Sequence, residues 1–412
     1  MQEDRMSLRV STILSVAILS GGIAVSTAAM AQKAEMPGVS NKEIKIGQTN
    51  PYSGPAASAG VNGKGDTAYI QWLNDQGGIN GRTIRFTSLD DGYVPPRTLE
   101  QTRKLVEQDG VAFIYKSLGT GPNAAITKYL NDRKVPHIFA SVGTAKFFNP
   151  AETPWIIPYY IRYIDEARIT AKHLAKTKPD ARIAILYQND DFGRDFVAGI
   201  KEVLGPNAQK MLVKEASFEV TDPSVDSQVI SLAETKADVL YLASVPPRPV
   251  TQAIRKAADL GWKPTFVLPS TTNATDIVLK PAGLEKAAGA ITVNFMKDPT
   301  DPRYANDPDV KQWHAWVDKY LPGADKANPA YVMVFLAGGM LKHVLQSAGD
   351  DLSRENILKQ AINMRDLEFP MLLPGIKINT SPTDYRPIRQ MQILRFDGQR
   401  WEPVGGVVGA DD

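Results

Sequence analysis

Gly119-Thr-Gly-Pro-Asn-Ala124 has the spacing G-x-G-x-x-A, directly after an apolar run and at the start of a helical pattern. That spacing can cradle the pyrophosphate of a dinucleotide. Three features weigh against this. The motif follows the third expected strand rather than the first, Pro122 stands inside it, and the next strand ends in Phe139-Ala-Ser141, where the ribose-binding acid belongs. Two readings remain: a tight turn into a helix with proline in its first turn, or a helix N-terminus whose free amides and Thr120 hydroxyl meet an anion. Ala140-Ser-Val-Gly-Thr144 repeats the pattern after the next strand, with the Ser141 and Thr144 hydroxyls around Val142 and Gly143. Two neighbouring strand ends with hydroxyls and bare amides suit one small carboxylate. Other strand ends add Tyr52 and Ser53, then Tyr93; a second set comprises Tyr187–Gly193, Ala243–Pro247 around Val245, and Pro269–Thr272. Together they outline a cleft lined by aromatics and hydroxyls, and ligands favour such interfaces between units.

Other chemistries find little support. The four histidines, His137, His173, His314 and His343, show neither an i,i+4 pair nor HExxH, so no metal site is expected. There is no GxSxG elbow and no GxxxxGK[ST] loop, and Ser141 lacks the flanking first glycine of a nucleophile elbow. The chain has no cysteine, which removes disulfides, thiolate metal sites and a cysteine nucleophile. No catalytic residue and no cofactor is expected. The rivals to a binding protein are an exported hydrolase using the same cleft and a signalling receptor domain.

The cleft residues must be held by alternating strands and helices. Glu43–Thr49 alternates apolar and polar, and 64–76 places Ala68, Tyr69, Trp72 and Leu73 on one helical face. Strands are expected at 83–89, 111–115 and 135–140, with helices at 96–108 and 122–132 between them. A second run has helix 164–176, strands 182–187, 211–215, 239–242 and 265–268, and helices through 196–204, 224–235 and 248–260. Strands separated by helices of this length imply parallel sheets. The fold class is therefore α/β, with two doubly wound parallel-sheet units. Helices near 309–320, 329–347 and 353–364 are expected to return to the first unit, and the proline-rich tail 369–405 to the second.

The N-terminus reads as an export signal. Arg5 and Arg9 flank Met6, an apolar run covers Val10–Leu19, and Ala29-Met-Ala31 supplies an A-x-A cleavage site. Cleavage after Ala31 is expected, leaving a soluble protein without a lipid anchor, which suggests the periplasm. The 412 residues suggest two or three folded units. Lys+Arg (47) nearly balance Asp+Glu (45), so no field exists to hold nucleic acid.

Ordered short motifs then carry a resemblance. Lys45-Ile-Gly with Tyr52-Ser-Gly-Pro55, Gly77-Gly-Ile-Asn-Gly81, Leu89-Asp-Asp91, Leu118-Gly-Thr120, Ala184–Tyr187 with Asp190-Asp-Phe-Gly193, Phe218 to Asp222, and Gly261-Trp-Lys-Pro264 run through nearly the whole mature chain. The chain resembles the periplasmic solute-binding proteins of branched-chain (hydrophobic) amino acid ABC transporters, the leucine/isoleucine/valine-binding family, with the type I periplasmic binding protein fold. The resemblance implies two lobes, 42–158 plus 291–368 and 159–290 plus 369–412, joined by crossovers near 157–162, 288–294 and 368–374. It implies a monomer that captures a carboxylate-bearing solute and hands it to a permease and ATPase in the inner membrane. It places the carboxylate at Gly119, Thr120, Ser141 and Thr144, with Leu118 and Val245 beside the ligand and Phe192 closing over it. The family's acid for the α-ammonium falls at Ser270, which is not acidic. Either Asp191 substitutes, or the ligand has no ammonium, because an unpaired buried ammonium is costly. Tyr93 and Leu118 stand near the family's two disulfide cysteines. Tyr52, Tyr93, Tyr115 and Phe192 would then line an aromatic pocket suited to an aromatic or other hydrophobic acid. Lys116, beside the anion site, is either a second charge on the ligand or a solvated surface lysine.

Overall fold

The structure, a computed structural model, describes residues 36–412. The export signal expected at 1–31 lies outside the described residues. The first half alternates as β1 (Glu43–Asn50), α1 (Val61–Asp75), β2 (Thr83–Asp90), α2 (Pro95–Arg103), β3 (Phe113–Tyr115), α3 (Thr120–Asp132), β4 (His137–Ala140) and β5 (Ile156–Pro158). These strands form one parallel sheet in the order β2-β1-β3-β4-β5. β3, β4 and β5 are buried along their whole length, which is why they read as continuous apolar runs rather than as alternation.

The chain continues through α4 (Tyr163–Thr177), β6 (Ile183–Gln188), α5 (Asp191–Leu204), α6 (Ala208–Met211), β7 (Leu212–Phe218), α7 (Asp226–Ala233), β8 (Val239–Ala243), α8 (Pro247–Asp259), β9 (Thr265–Val267), α9 (Lys280–Ala282) and β10 (Ile291–Asn294). After α10 (Pro308–Tyr320), α11 (Pro329–Ala348) and α12 (Arg354–Ala361), the tail forms β11 (Gln390–Phe396) and β12 (Trp401–Gly409). The second sheet has the order β12-β11-β10-β9-β8-β6-β7, parallel except where β11 pairs with β10 and β12. α10 and α11 pack on α1 of the first sheet, with Tyr69 meeting Trp316 and Phe335 edge-on.

Two details differ from the sequence expectation. Ile291–Asn294 is a strand of the second sheet, so the return expected from 291 begins after it. The crossing segments meet each other: Lys297 N donates to Met371 O and Leu373 N to Phe295 O. β5 was not expected, because three residues between a loop and a crossover carry too little pattern to be recognised.

In each sheet the strand order reverses once, at β1/β3 and at β6/β8. Loops leaving adjacent strands diverge there, opening a crevice beyond the carboxyl ends.

Candidate functional site

A cavity of about 820 Å³, counting the part open to solvent, lies beyond those strand ends. The first sheet's side contributes Ser58, Ala59, Val61 and Asn62 at the start of α1, Leu118 and Gly119 after β3, and Ser141 after β4. α11 adds Asn328, Pro329, Ala330 and Met333. The second sheet's side contributes Val245 and Pro247 after β8, and Thr271, Ala274 and Ile277 after β9. Tyr159, Tyr160 and Tyr163 come from the segment that crosses from β5 to α4. No Asp, Glu, Lys, Arg or His is among these lining residues.

Five helices start at this cavity: α1, α3, α4, α8 and α11. Each N-terminus carries partial positive charge, worth about 0.3–1 kcal/mol to a nearby anion. Four of them have no acidic residue in the first turn to offset it; α4 has Asp165 and Glu166. Direct amide donors are scarcer. Prolines occupy the first turns of α3, α8 and α11, and Asn328 caps Ala330 N at 3.0 Å. The Gly119, Ser141 and Val142 amides, expected to be bare, donate to Ser141 O, Ser117 O and Ala140 O. An anion here would therefore meet hydroxyls in a positive field, with few bare amides.

The phenols are held neutral. Burial pushes Tyr160 and Tyr163 well above the ordinary phenol range, and Tyr159 upward too, against the opposing Lys116 ammonium. The Tyr159 hydroxyl is within reach of the Ser141 side chain. The Tyr160 hydroxyl bonds Ser270 Oγ at 2.7 Å. Behind Ser270 stands Glu166, wholly buried, its carboxyl accepting from Ser270 N at 2.6 Å and Ser270 Oγ at 2.8 Å.

Of the residues named from sequence, Leu118, Gly119, Ser141 and Val245 line the cavity. The others have different work. Tyr52 turns its hydroxyl to Ser88 at 2.6 Å, and Ser53 bonds Asp90. Tyr93 is buried with Ala56 and Leu118 against Val220, its hydroxyl directed at Gln188 and the Thr120 amide outside good hydrogen-bond geometry. Thr120 and Thr144 face each other at 3.4 Å, and Val142 is core. Gly143 is pressed against the crossing segment: an added Cβ would lie 2.4 Å from Ile161 O and 2.6 Å from Tyr163 Cε1. Phe192 is buried against Tyr163, ring centroids 4.5 Å apart, and Tyr115 is core. Ser270 stands behind the wall, on Tyr160. Asp191, the possible substitute acid, pairs with Lys146 and Arg194.

Lys116 neither lines the cavity nor reaches the surface. It is buried in the left-handed region (φ 54°), its ammonium 3.2 Å from Asp66 and 5.5 Å from the Tyr159 ring centre. Gln48 donates to Asp66 at 2.7 Å and accepts from Ser88. The pair thus sits behind Tyr159, a wall residue.

Contacts also join the loop after β4 of the first sheet to α5 beside the second. Asp195 of α5 accepts from Ala145 N at 2.8 Å, and burial pushes its carboxyl up to about 6. Lys146 pairs with Asp191.

Sequence reasoning missed the tyrosines of the crossing segment, the starts of α1 and α11, and Glu166. The run Tyr159-Tyr160 with Tyr163 on a crossover was the available signal for the first. A second cavity of about 710 Å³ shares the Ala274 and Pro329 walls. Its cations are already paired, Lys297 with Asp307 and Asp309, and Arg303 with Asp301 and Glu402. It also lies away from the strand-order reversals.

Among the described residues, no helix is long and apolar enough to cross a membrane. A family model described as periplasmic binding protein matches residues 43–400. A Leu/Ile/Val-binding protein of Rhizobium johnstonii is 23% identical over 257 residues, 62% of this chain and 68% of that protein. A branched-chain amino acid ABC transporter protein of Thermus thermophilus, solved with bound valine, superposes with a TM-score of 0.80 at 16% identity, covering 90% of this chain and 97% of that one. A fatty acid ABC transporter substrate-binding protein of Thermomonospora curvata gives 0.75 at 19% identity, covering 92% and 96%. At such identities the two structural likenesses speak for the fold alone.

Proposed function

The chain belongs to the periplasmic binding protein family, and from that premise we propose that it captures a hydrophobic monocarboxylate in the cavity and delivers it unaltered to a membrane permease. The observation that carries this reading is a cavity walled by three tyrosines, aliphatic side chains and a few hydroxyls and amides, with no charged residue among the described residues that line it, at the starts of five helices. Apolar walls favour a hydrophobic body, and helix N-termini favour a carboxylate over a cation. An α-ammonium would find no ionised partner among the described lining residues, and burying it unpaired costs several kcal/mol. The preferred ligands are therefore acids without an amino group, aromatic or aliphatic.

A second reading, a branched-chain or other hydrophobic amino acid, is favoured by the named ligands of the Rhizobium johnstonii relative. In either case ligand affinity draws the two sides together by population shift, and the permease with its ATPase takes up the closed form. Export to the periplasm after cleavage at Ala31, a monomeric state, and lobes made of 42–158 with the helices after β10, and 159–294 with the tail, belong to the same proposal.

Mass spectrometry of solute retained through native purification, followed by calorimetry with leucine, 4-methylpentanoate and 3-phenylpropanoate, tests it. A retained hydrophobic acid, with the deaminated probes binding more tightly than leucine, is expected. Leucine binding more tightly than 4-methylpentanoate overturns the preference for acids. A solute recovered chemically changed overturns capture itself.

A further inference from the structure

Glu166 is a buried carboxyl with no cation beside it: among the described residues it makes no ion pair, while its neighbour Asp165 pairs with Arg162 and Arg168. Its two oxygens hold Ser270, and Ser270 Oγ holds the hydroxyl of Tyr160, a wall residue. Ser270 is also next to Thr271, another wall residue. The chain of bonds runs from α4 through the β9 loop to the crossing segment and ends at Tyr160, a residue of the cavity wall.

Protons in this chain can be counted. A hydroxyl has one proton to give and accepts through its lone pairs. When Glu166 is ionised it only accepts, so Ser270 Oγ gives its proton to Glu166. Tyr160 must then donate to Ser270 Oγ, and its oxygen offers only lone pairs to the cavity. When Glu166 is protonated, its O–H donates to Ser270 Oγ, Ser270 donates to Tyr160, and the Tyr160 proton is released toward the cavity. Ser270 N keeps its bond to Glu166 in both states.

We propose that Glu166 is a positioning residue whose protonation reverses the Tyr160 hydroxyl from acceptor to donor, making ligand selection by this cavity proton-linked. The proposal rests on the hydrophobic-acid reading above. A carboxylate ligand is taken by the protonated form, because only then does Tyr160 donate; a ligand N–H is taken by the ionised form.

The surroundings fit such a switch. Burial pushes the Glu166 carboxyl up to about 7, against the Ser270 bonds, and among the described residues no charged group acts on it. The ionisable groups that face it are phenols: Tyr160 on the crossing segment and Tyr163 on its own helix, both kept neutral. Of the elements packed on α4, α5 presents Phe192 and Phe196 to Tyr163, its Glu202 pairs with Arg168, and neither β10 nor β11 sends a charge that acts on Glu166.

With a binding-competent fraction set by a carboxyl titrating near 7, apparent Kd for a deaminated acid rises about 10-fold between pH 6 and pH 8. Calorimetry with 4-methylpentanoate and 3-phenylpropanoate on wild type, Glu166→Gln and Tyr160→Phe reads this. Gln keeps both bonds to Ser270, with its carbonyl on Ser270 N and its amide donating to Ser270 Oγ, and so fixes the donor state. Glu166→Gln should bind equally at both pH values, with the wild-type pH 6 affinity. Tyr160→Phe should bind more weakly and without pH dependence. A wild-type Kd unchanged between pH 6 and pH 8, or a pH dependence that persists in Glu166→Gln, overturns the relay and leaves solute capture standing. If neither probe gives heat, the hydrophobic-acid reading fails. The relay is then judged without ligand, by infrared titration of the wild-type carboxylic-acid signal against Glu166→Gln. No acid signal lost between pH 6 and pH 8 overturns it.

Discussion

Lys116→Met isolates the electrostatics of the buried pair behind Tyr159. The Lys116 ammonium and the Asp66 carboxylate are both withdrawn from solvent, 3.2 Å apart. Asp66 also accepts from Gln48, and burial raises its carboxyl above the usual range against the pull of Lys116. Methionine keeps the length of the stem and, like lysine, is a non-glycine residue at φ 54°, so the backbone term is common to both. What is lost is the positive charge. Removing one partner of a buried pair costs about 3–5 kcal/mol, because the other charge is stranded. The stranded carboxyl can escape by taking a proton. In Lys116→Met the folded form then holds a proton that the unfolded chain, titrating near pH 4, has released. Stability falls as pH rises from about 4 to the folded value, by up to about 1.4 kcal/mol per pH unit. The loss relative to wild type should thus be large at pH 8 and smaller at pH 5. Adding Asp66→Asn removes the stranded charge and should recover most of the loss at pH 8. Urea denaturation followed by tryptophan fluorescence at both pH values measures all four corners of this cycle. Equal destabilisation of the single and double variants at both pH values would show that packing, and not charge, holds this site.

Three further outcomes are expected. Ser141→Ala should weaken binding of 4-methylpentanoate by about 1–3 kcal/mol, the range for losing a hydrogen bond to a charged group, while Thr144→Val, whose hydroxyl faces only Thr120 at 3.4 Å, should change Kd less than about twofold; equal effects in calorimetry would move the anion deeper into the 141–144 loop. Gly143→Ala brings a Cβ to 2.4 Å from Ile161 O, which must force the crossing segment away, so ligand should bind more weakly and small-angle scattering should show a larger radius with ligand present; an unchanged radius and Kd would mean that this contact does not hold the sides together. Asp195, pushed up to about 6 by burial, binds a proton more tightly folded than unfolded, so wild type loses stability as pH rises from about 4 to 6; Asp195→Asn should melt higher than wild type at pH 8 and at the same temperature near pH 4, and a constant difference in thermal melts would contradict that.

The fold was legible because each sheet obeys short-range rules. Runs such as Val239–Ala243 are wholly buried, and the helices between them carry apolar faces at helical spacing, so periodicity located both. The tail was legible only as irregular alternation. β11 and β12 are the antiparallel edge of a sheet whose other strands lie far back in the chain, and no local pattern records that pairing. The misplacement of Ile291–Asn294 has the same origin: a strand beside a crossover belongs to whichever sheet its neighbours in space form, and β9 is the neighbour.

The site was legible in kind more than in membership. Strand ends at and beside the two order reversals carry it: Leu118 and Gly119 follow β3 and Val245 follows β8, at the reversals, while Ser141 follows β4, one strand along. Aromatic character was also foreseeable, yet Tyr93, Tyr115 and Phe192 are buried away from the cavity and the half-buried Tyr52 turns its hydroxyl to Ser88, while Tyr159, Tyr160 and Tyr163 line the cavity. A side chain after a strand can turn up or down with a small change of backbone, as Lys116 does at φ 54°. A residue on a segment joining two sheets has less choice, because the space between them is the only interior it adjoins. The missing acid at Ser270 follows the same logic. At that position a serine stands in front of a carboxyl one layer back, Glu166 on α4, which is joined to the wall residue Tyr160 through the Ser270 hydroxyl. A carboxyl set behind two hydroxyls and able to take a proton offers a ligand direction and polarity without a permanent ion, and in its protonated form it suits the hydrophobic acid proposed above better than a ligand that carries its own ammonium.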